Sequence, residues 1–258
     1  MGKLYNALTI DCQKCCGLCC IALYCTKTDG FPYDKVAGTP CKNLLSDFRC
    51  HSHHELIERK LKGCLSYDCF GAGQKVTQII YKGEDWRKSP HCREQMFKVF
   101  HIVTQLHQML WYLLETYRMS NNQKMQEDIR TLIRKNEHMT TLSPNEILML
   151  DIESYRKSVN TILKSINTSQ PKKVDYMGKN FKRANLDGKD FSMSFLIMAN
   201  LEGCSLKGTN FLGADLRDTN IQNTDLSESI FLTQMQVNAA RGNKATQLPK
   251  HLTKPTTW

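Results

Sequence analysis

The sequence predicts a multi-part α + β chain: a small cysteine-rich module, a helical hairpin or small bundle, and a four-sided coil closed by an end cap. Three observations carry this. Ten of the twelve cysteines lie between Cys12 and Cys69. Apolar residues recur at helical spacing from Phe97 to Ile166. From Tyr176 to Phe231 every fifth residue is apolar. The segments so defined are 1–90, 91–170, 171–233 and 234–258.

The chain has 258 residues, 41% of them hydrophobic, so it can bury a sizeable core. No apolar run approaches the ~18 residues of a membrane span. The start, MGKLYNALTIDCQ, lacks the apolar stretch of a secretory signal. It begins Met-Gly, but Asn6 stands where a myristoylation pattern wants Ser or Thr. A cytoplasmic chain with reduced thiols is the expectation. The net charge of +10 is spread along all three segments, with no long basic block. A diffuse surplus reads as a solvated surface, which argues against a nucleic-acid partner.

The cysteine-rich segment opens with DCQKCCGLCCIALYC, which holds Cys12, Cys15, Cys16, Cys19, Cys20 and Cys25. Cys41 and Cys50 follow in PCKNLLSDFRC, and Cys64 and Cys69 in GCLSYDC. Four explanations compete. Disulfides fit poorly with reducing conditions, and adjacent cysteines rarely bridge each other. A redox Cys-x-x-Cys would use only two thiols. Core packing suits Cys25 or Cys92 but not a cluster. Metal binding uses the spacing best, because one loop then supplies several thiolates. The candidate ligands are Cys12, Cys15, Cys16, Cys19, Cys20, Cys41, Cys50, Cys64 and Cys69, too many for one tetrahedral zinc. They suit two zinc ions or an iron–sulfur cluster. His51, His53 and His54 could add nitrogen ligands; the alternative is that they lie exposed at the start of a helix.

The middle segment reads as helices. Phe97, Phe100, Val103, Leu106, Leu110, Leu113, Leu114 and Tyr117 share one face. SNNQ (120–123) ends that pattern, and a second helix runs through Met125, Ile129, Leu132 and Ile133. In LSPNEILML, Ser143 is an N-cap, Pro144 the first helical residue and Glu146 the partner of a capping box. The third helix then continues through Ile147, Leu150, Tyr155, Val159, Ile162, Leu163 and Ile166 to a linker, NTSQPKK (167–173). His101 and His107, near the apolar face of the first helix, read as core or boundary side chains.

In the third segment a large apolar residue holds the third place of each five: Tyr176, Phe181, Leu186, Phe191, Leu196, Leu201, Leu206, Phe211, Leu216, Ile221, Leu226 and Phe231. A small residue usually holds the first place, Cys204 among them. A period of five fits neither helix nor strand; it fits a coil with one unit per side. This pattern resembles the pentapeptide-repeat family over residues 174–233. The resemblance implies a right-handed quadrilateral β-solenoid, here about three coils and ~15 Å long at the ~4.8 Å spacing of paired strands. Some members imitate DNA and bind gyrase. Residues 171–233 hold eight basic and eight acidic residues, which argues against that. The remaining reading is a docking or scaffold surface. In the tail, Met235, Val237, Ala239 and Ala240 suggest a cap over the last coil, with Trp258 tucked against the body.

Residues 11–74 resemble the CxxCxxCC cysteine-cluster family, which is associated with zinc or an iron–sulfur cluster. The front motif is Cys12-x3-Cys16-Gly17-Leu18-Cys19-Cys20, so either Cys12 or Cys15 takes the first ligand role. The rear motif ends at Cys69 without the family's usual Arg-Pro. One branch is a flagellin lysine methylase, which makes an iron–sulfur-dependent modifying enzyme the alternative reading. GAGQ (71–74) would have to serve its methyl donor; a tight turn beside Cys69 is the simpler role. No Ser–His–Asp, paired-carboxylate or P-loop arrangement is present. The function expected is a metal- or iron–sulfur-binding protein with a protein partner docked on the coil or the helices. A topoisomerase-binding protein ranks lower.

Overall fold

The computed structural model describes residues 2–52, 55, 56, 58, 59, 61–166, 174–256 and 258. Its helices are α1 (Gly2–Ala7), α2 (Leu18–Ala22), α3 (Lys62–Ser66), α4 (Ala72–Gln74), α5 (Arg93–Met119), α6 (Gln123–Met139), α7 (Pro144–Leu148), α8 (Ile152–Ile166) and α9 (Gln234–Ala239). The chain forms two compact units. One comprises Met1–Lys60 and Asp68–Ile166, the other Leu61–Tyr67 and Asn167–Trp258.

In the first unit α5 is the axis, and α6, α7 and α8 pack on it. Its inner stripe of Met96, Phe100, Val103, Leu106, Leu110, Leu113 and Leu114 is almost wholly buried, the expected consequence of apolar residues at helical spacing. Asn122 ends the break after α5 by accepting a hydrogen bond from the Met125 N–H at 3.0 Å. The capping box at Ser143 and Glu146 forms as the sequence predicts. The third predicted helix, however, divides. Asp151 accepts from the Ser154 N–H at 2.9 Å and starts α8 afresh, because an Asp side chain competes for N–H groups that a continuous helix would use. Met149, between the two pieces, is 85% exposed.

The second unit corrects the expected fold class. Among the described residues there is no β-strand and no sheet; helix takes 42% of the structure and strand-like bridges 7%. The quadrilateral β-solenoid is therefore not what these repeats build. The reason lies in the corners. Each pentad ends in a turn closed by the next residue's N–H on the third residue's carbonyl, as in Ala184 to Phe181 at 2.8 Å and Ala199 to Leu196 at 2.9 Å. The third residue of each such turn is left-handed, as at Gly178, Arg183, Gly188, Met193, Met198 and Gly203. Only the second residue of a pentad is left to bridge, twenty residues on, in parallel: Asn180 to Asn200, Asn185 to Ser205, Asp190 to Asn210. A strand needs a run of several such residues.

The repeat's consensus follows from these turns. Asn or Asp at the second place accepts the N–H two residues on, for example Asn200 from Glu202 at 3.1 Å and Asp190 from Ser192 at 2.9 Å, the Asx-turn that gives those residues their place in bends. A hydroxyl at the first place donates to the carbonyl twenty-three residues back: Thr209 to Leu186 at 2.9 Å, Thr219 to Leu196 at 2.7 Å. Cys204 does the same with Phe181 at 2.9 Å, which accounts for that thiol. The third-place side chains fill the interior, with Phe191 and Phe211 stacked at 5.9 Å. At the far end Gln236 of α9 donates to the carbonyls of Phe211 and Ala214, both at 2.8 Å. The tail goes on bridging the last coil at Arg241 and Gln247. Trp258 closes it: a Cβ on Gly242 would stand 2.6 Å from its ring. Helix α3 packs on α9.

Candidate functional site

The cysteine loop is held in the first unit by α4 and the wide π-turn that continues it over Lys75–Ile80. Gln74 clamps the loop's start, accepting from the Asp11 N–H at 2.8 Å and donating to Thr9 O at 2.7 Å. Thr77 Oγ1 accepts from the Cys16 N–H at 3.1 Å and donates to Gly73 O at 2.9 Å. Gln78 holds Lys14 O at 3.0 Å, and Trp86 Nε1 holds Cys16 O at 2.8 Å. These four side chains position the loop, and sequence reasoning missed them. A lone Gln, Thr or Trp carries no spacing signal, and their partners on the loop lie 61 to 70 residues away.

Glycines bring the sulfurs in. Gly17, at φ +71°, reverses the chain after Cys16, a conformation open to glycine at no steric cost. Against the larger upward push of burial, the Leu18 and Gly17 backbone pulls the pKa of the Cys15 thiol down. The Gly73 and Gly71 backbone does the same for Cys69, again outweighed by burial. A Cβ on Gly73 would lie 2.7 Å from Sγ of Cys15 and 3.9 Å from Sγ of Cys69, so the missing side chain is the space those two sulfurs share. Gly71 meets Ala7 O in the same way. The glycines of GAGQ are thus spent on close packing.

The structure brings Cys12, Cys15, Cys19, Cys20 and Cys69 within electrostatic reach of one another. In α2, Cys19 and Cys20 have their sulfurs 3.9 Å apart. Cys20 and Cys41 both lie within electrostatic reach of Cys50, and the Cys41 N–H donates to Cys20 O at 2.9 Å. Cys16 turns inward instead: its buried Sγ lies 3.8 Å from Sδ of Met96 in α5. Cys64 belongs to the second unit, in α3, where it is exposed. His51 is exposed, and His53 and His54 lie outside the described residues. His107 is buried with Nδ1 2.7 Å from Phe70 O; His101 is exposed.

Burial pushes the Cys15 thiol up to about 12 and Cys69 up to about 11. The Cys19–Cys20 pair splits. Cys19 rises well above the ordinary range because its hydrogen bond to Cys20 and burial hold its proton. Cys20 falls, because Cys19 donates to it and the Lys35 ammonium lies near. Clustered thiols cannot all ionise in such a setting unless a cation joins them. Among the described residues, no three of these donors are drawn tightly enough together to enclose an ion. The arrangement is a set of soft donors gathered around one loop without converging on a single point.

The repeats match the family model for pentapeptide repeats in eight copies over residues 196–231. Over 271 aligned residues the chain is 43% identical to the uncharacterized protein YybG of Bacillus subtilis strain 168, covering 99% of this chain and 96% of that protein. Two solved structures share the repeat. A pentapeptide repeat protein of the Arabidopsis thaliana thylakoid lumen is 20% identical, covers 31% of this chain and 70% of its own, and has a TM-score of 0.21. Rfr23 from the cyanobacterium Cyanothece 51142 is 15% identical, covers 30% and 82%, and has a TM-score of 0.16. Both likenesses are too slight to bear on fold or activity.

Proposed function

The chain belongs to the family of Bacillus subtilis YybG and carries pentapeptide repeats, and on that footing we propose that it is a thiolate metal-binding protein whose repeat stack is a docking surface for a protein partner. One observation carries the metal reading: Cys15 and Cys69, fifty-four residues apart, bring their sulfurs to the same glycine. The thiolate is the form that binds zinc or iron–sulfur iron, so a bound cation would have to offset the burial that holds these protons. Cys12, Cys15, Cys19, Cys20 and Cys69 would hold the group, with Cys41 and Cys50 beside Cys20. Zinc would supply a structural cross-link there, and an iron–sulfur cluster an electron-transfer centre.

The docking half rests on one irregular pentad. In Ser194–Met198 the outward places carry Phe195, Ile197 and Met198 rather than polar residues. Met198 is 62% exposed, Met193 51% and Met177 56%. Methionine makes an adaptable binding surface because its side chain is flexible and polarizable.

The deciding experiment is metal and acid-labile sulfide analysis of protein purified without oxygen and without a metal-affinity column, with its visible spectrum. Iron with sulfide makes the loop a cluster site; zinc in a colourless protein makes it a structural centre. Absence of any metal, with the thiols reactive toward a chromogenic disulfide, would sink the metal reading.

A further inference from the structure

Cys15 and Cys69 are far apart in the chain, yet one short element delivers both to the same place. Cys69 stands just before α4, and its carbonyl accepts from the Ala72 N–H at 3.0 Å. The segment of Cys15 is tied to α4 and its continuation on both sides. The Asp11 N–H donates to Gln74 at 2.8 Å, and the Cys16 N–H donates to Thr77 Oγ1 at 3.1 Å, which in turn donates to Gly73 O at 2.9 Å. Both backbones are therefore fixed on one element. Gly73 leaves the space of a side chain empty there: a Cβ would stand 2.7 Å from Sγ of Cys15 and 3.9 Å from Sγ of Cys69.

The other close thiols are placed differently. Cys19 and Cys20 have their sulfurs 3.9 Å apart, but they are neighbours in α2. A bond between them closes a strained ring across one peptide unit and breaks the helix. Cys16 faces the core, its sulfur 3.8 Å from that of Met96. Cys64 lies in the other compact unit. Cys15 is half-buried and Cys69 buried, so a reagent in solution meets Cys15 first.

We propose that Cys15 and Cys69 are a reversible redox pair, forming a disulfide beside Gly73 when a low-molecular-weight disulfide is in excess and reopening under reducing thiols. The pair uses two sulfurs and no enclosed ion, so it stands apart from the metal reading. The Cys15 thiolate attacks one sulfur of the reagent, whose S–S bond breaks and releases one thiolate. The Cys69 thiolate then attacks the Cys15 sulfur of the mixed disulfide, and the second reagent thiolate leaves. Two electrons pass from the cysteines to the reagent, and the two cysteine protons end on the two released thiols. The new bond closes a long loop and pins the cysteine segment to α4, which favours the folded state.

The test uses the full chain, reduced and freed of metal with a chelator. It is incubated without oxygen with oxidised glutathione for hours, because burial slows exchange. Free thiols are then alkylated, and the protein is digested without reduction for mass spectrometry. A Cys15–Cys69 link should be the principal product, with loss of two alkylatable thiols and full reversal by dithiothreitol. The melting temperature should rise by roughly 5–10 °C. Cys15→Ser and Cys69→Ser should each abolish the link and the melting shift, whereas Cys64→Ser should keep both. Gly73→Ala should slow the linking, since a disulfide tolerates little displacement; if that variant fails to fold, the serine variants carry the test. A principal link through Cys12, Cys19 or Cys20 overturns the assignment, and so does a wild type that loses no thiols. Metal analysis reports on the metal reading separately: metal can be absent while the link forms, and present while it does not.

Discussion

Gly73 and Cys15 approach more closely than any side chain at position 73 would permit: a Cβ there would stand 2.7 Å from the Cys15 sulfur. The chain must shift to admit even a methyl group. Gly73→Ala should therefore cost about 1–3 kcal/mol, the usual range for overpacking, and should lower metal content by moving Cys15 away from Cys69. Urea unfolding and metal analysis of the same preparation check both. A variant of wild-type stability and metal content would show that the glycine is not needed there.

His107 should govern part of the acid limb of stability. Burial lowers its folded-state value from 6.5 to about 4, with the Lys75 charge adding to the effect. The folded value is the depressed one. Below pH 6.5 the unfolded chain takes up a proton that the folded chain refuses until about pH 4. Stability is thus fully present above pH 6.5 and falls across that window, by at most about 1.4 kcal/mol per pH unit. His107→Gln should be less stable at pH 7.5, through imperfect packing, yet show a shallower loss between pH 6.5 and 4. Parallel acid limbs in chemical-denaturation series would count against this account.

Much of this was legible in the sequence, and the failures have physical causes. The five-residue period announced the repeats, and Cys204 fell where a small inward residue belongs. The strand content was misjudged, because the period says where side chains go but not how much of each side is consumed by its corners. The third helix was read through Asp151, since apolar spacing continued across it; an aspartate's competition for N–H groups broke the helix. Among the nine candidate cysteines, spacing could not tell Cys16, turned into the core on Met96, from Cys15, turned toward Cys69. Nor could it show that α3 carries Cys64 into the other compact unit. The glycines of GAGQ were visible, but the contact they serve is set by tertiary packing.

The left-handed corners offer a pair of opposed substitutions. Met198 sits at φ 59° and is 62% exposed, while Gly188 sits at φ +65° with nothing within 4 Å of a Cβ built there. A left-handed L-residue is strained by about 1–2 kcal/mol, and glycine in its place gives back part of that gain as unfolded-state entropy. Met198→Gly should stabilise the second unit by up to about 1 kcal/mol, and Gly188→Ala should destabilise it by about as much. If Met198 is also a docking residue, Met198→Gly should weaken partner capture while the protein itself becomes more stable. Thermal unfolding of the two variants decides the first point. A less stable Met198→Gly would mean that the methionine's packing outweighs its strain.

Cys64 and Cys69 give the sharpest separation of ligand from bystander, because they are five residues apart and belong to different units. Cys69 is buried and shares its space beside Gly73 with Cys15. Cys64 is exposed on α3. Cys69→Ser and Cys15→Ser should each lower bound metal and reduce the metal-dependent rise in melting temperature, whereas Cys64→Ser should leave both unchanged. Serine conserves size and a polar atom but supplies no thiolate, so the comparison isolates the sulfur. Metal analysis after gel filtration, normalised to protein by amino-acid analysis, reads the result. Loss of metal in Cys64→Ser would place that cysteine among the ligands; retention in both Cys15→Ser and Cys69→Ser would remove the pair at Gly73 from the site.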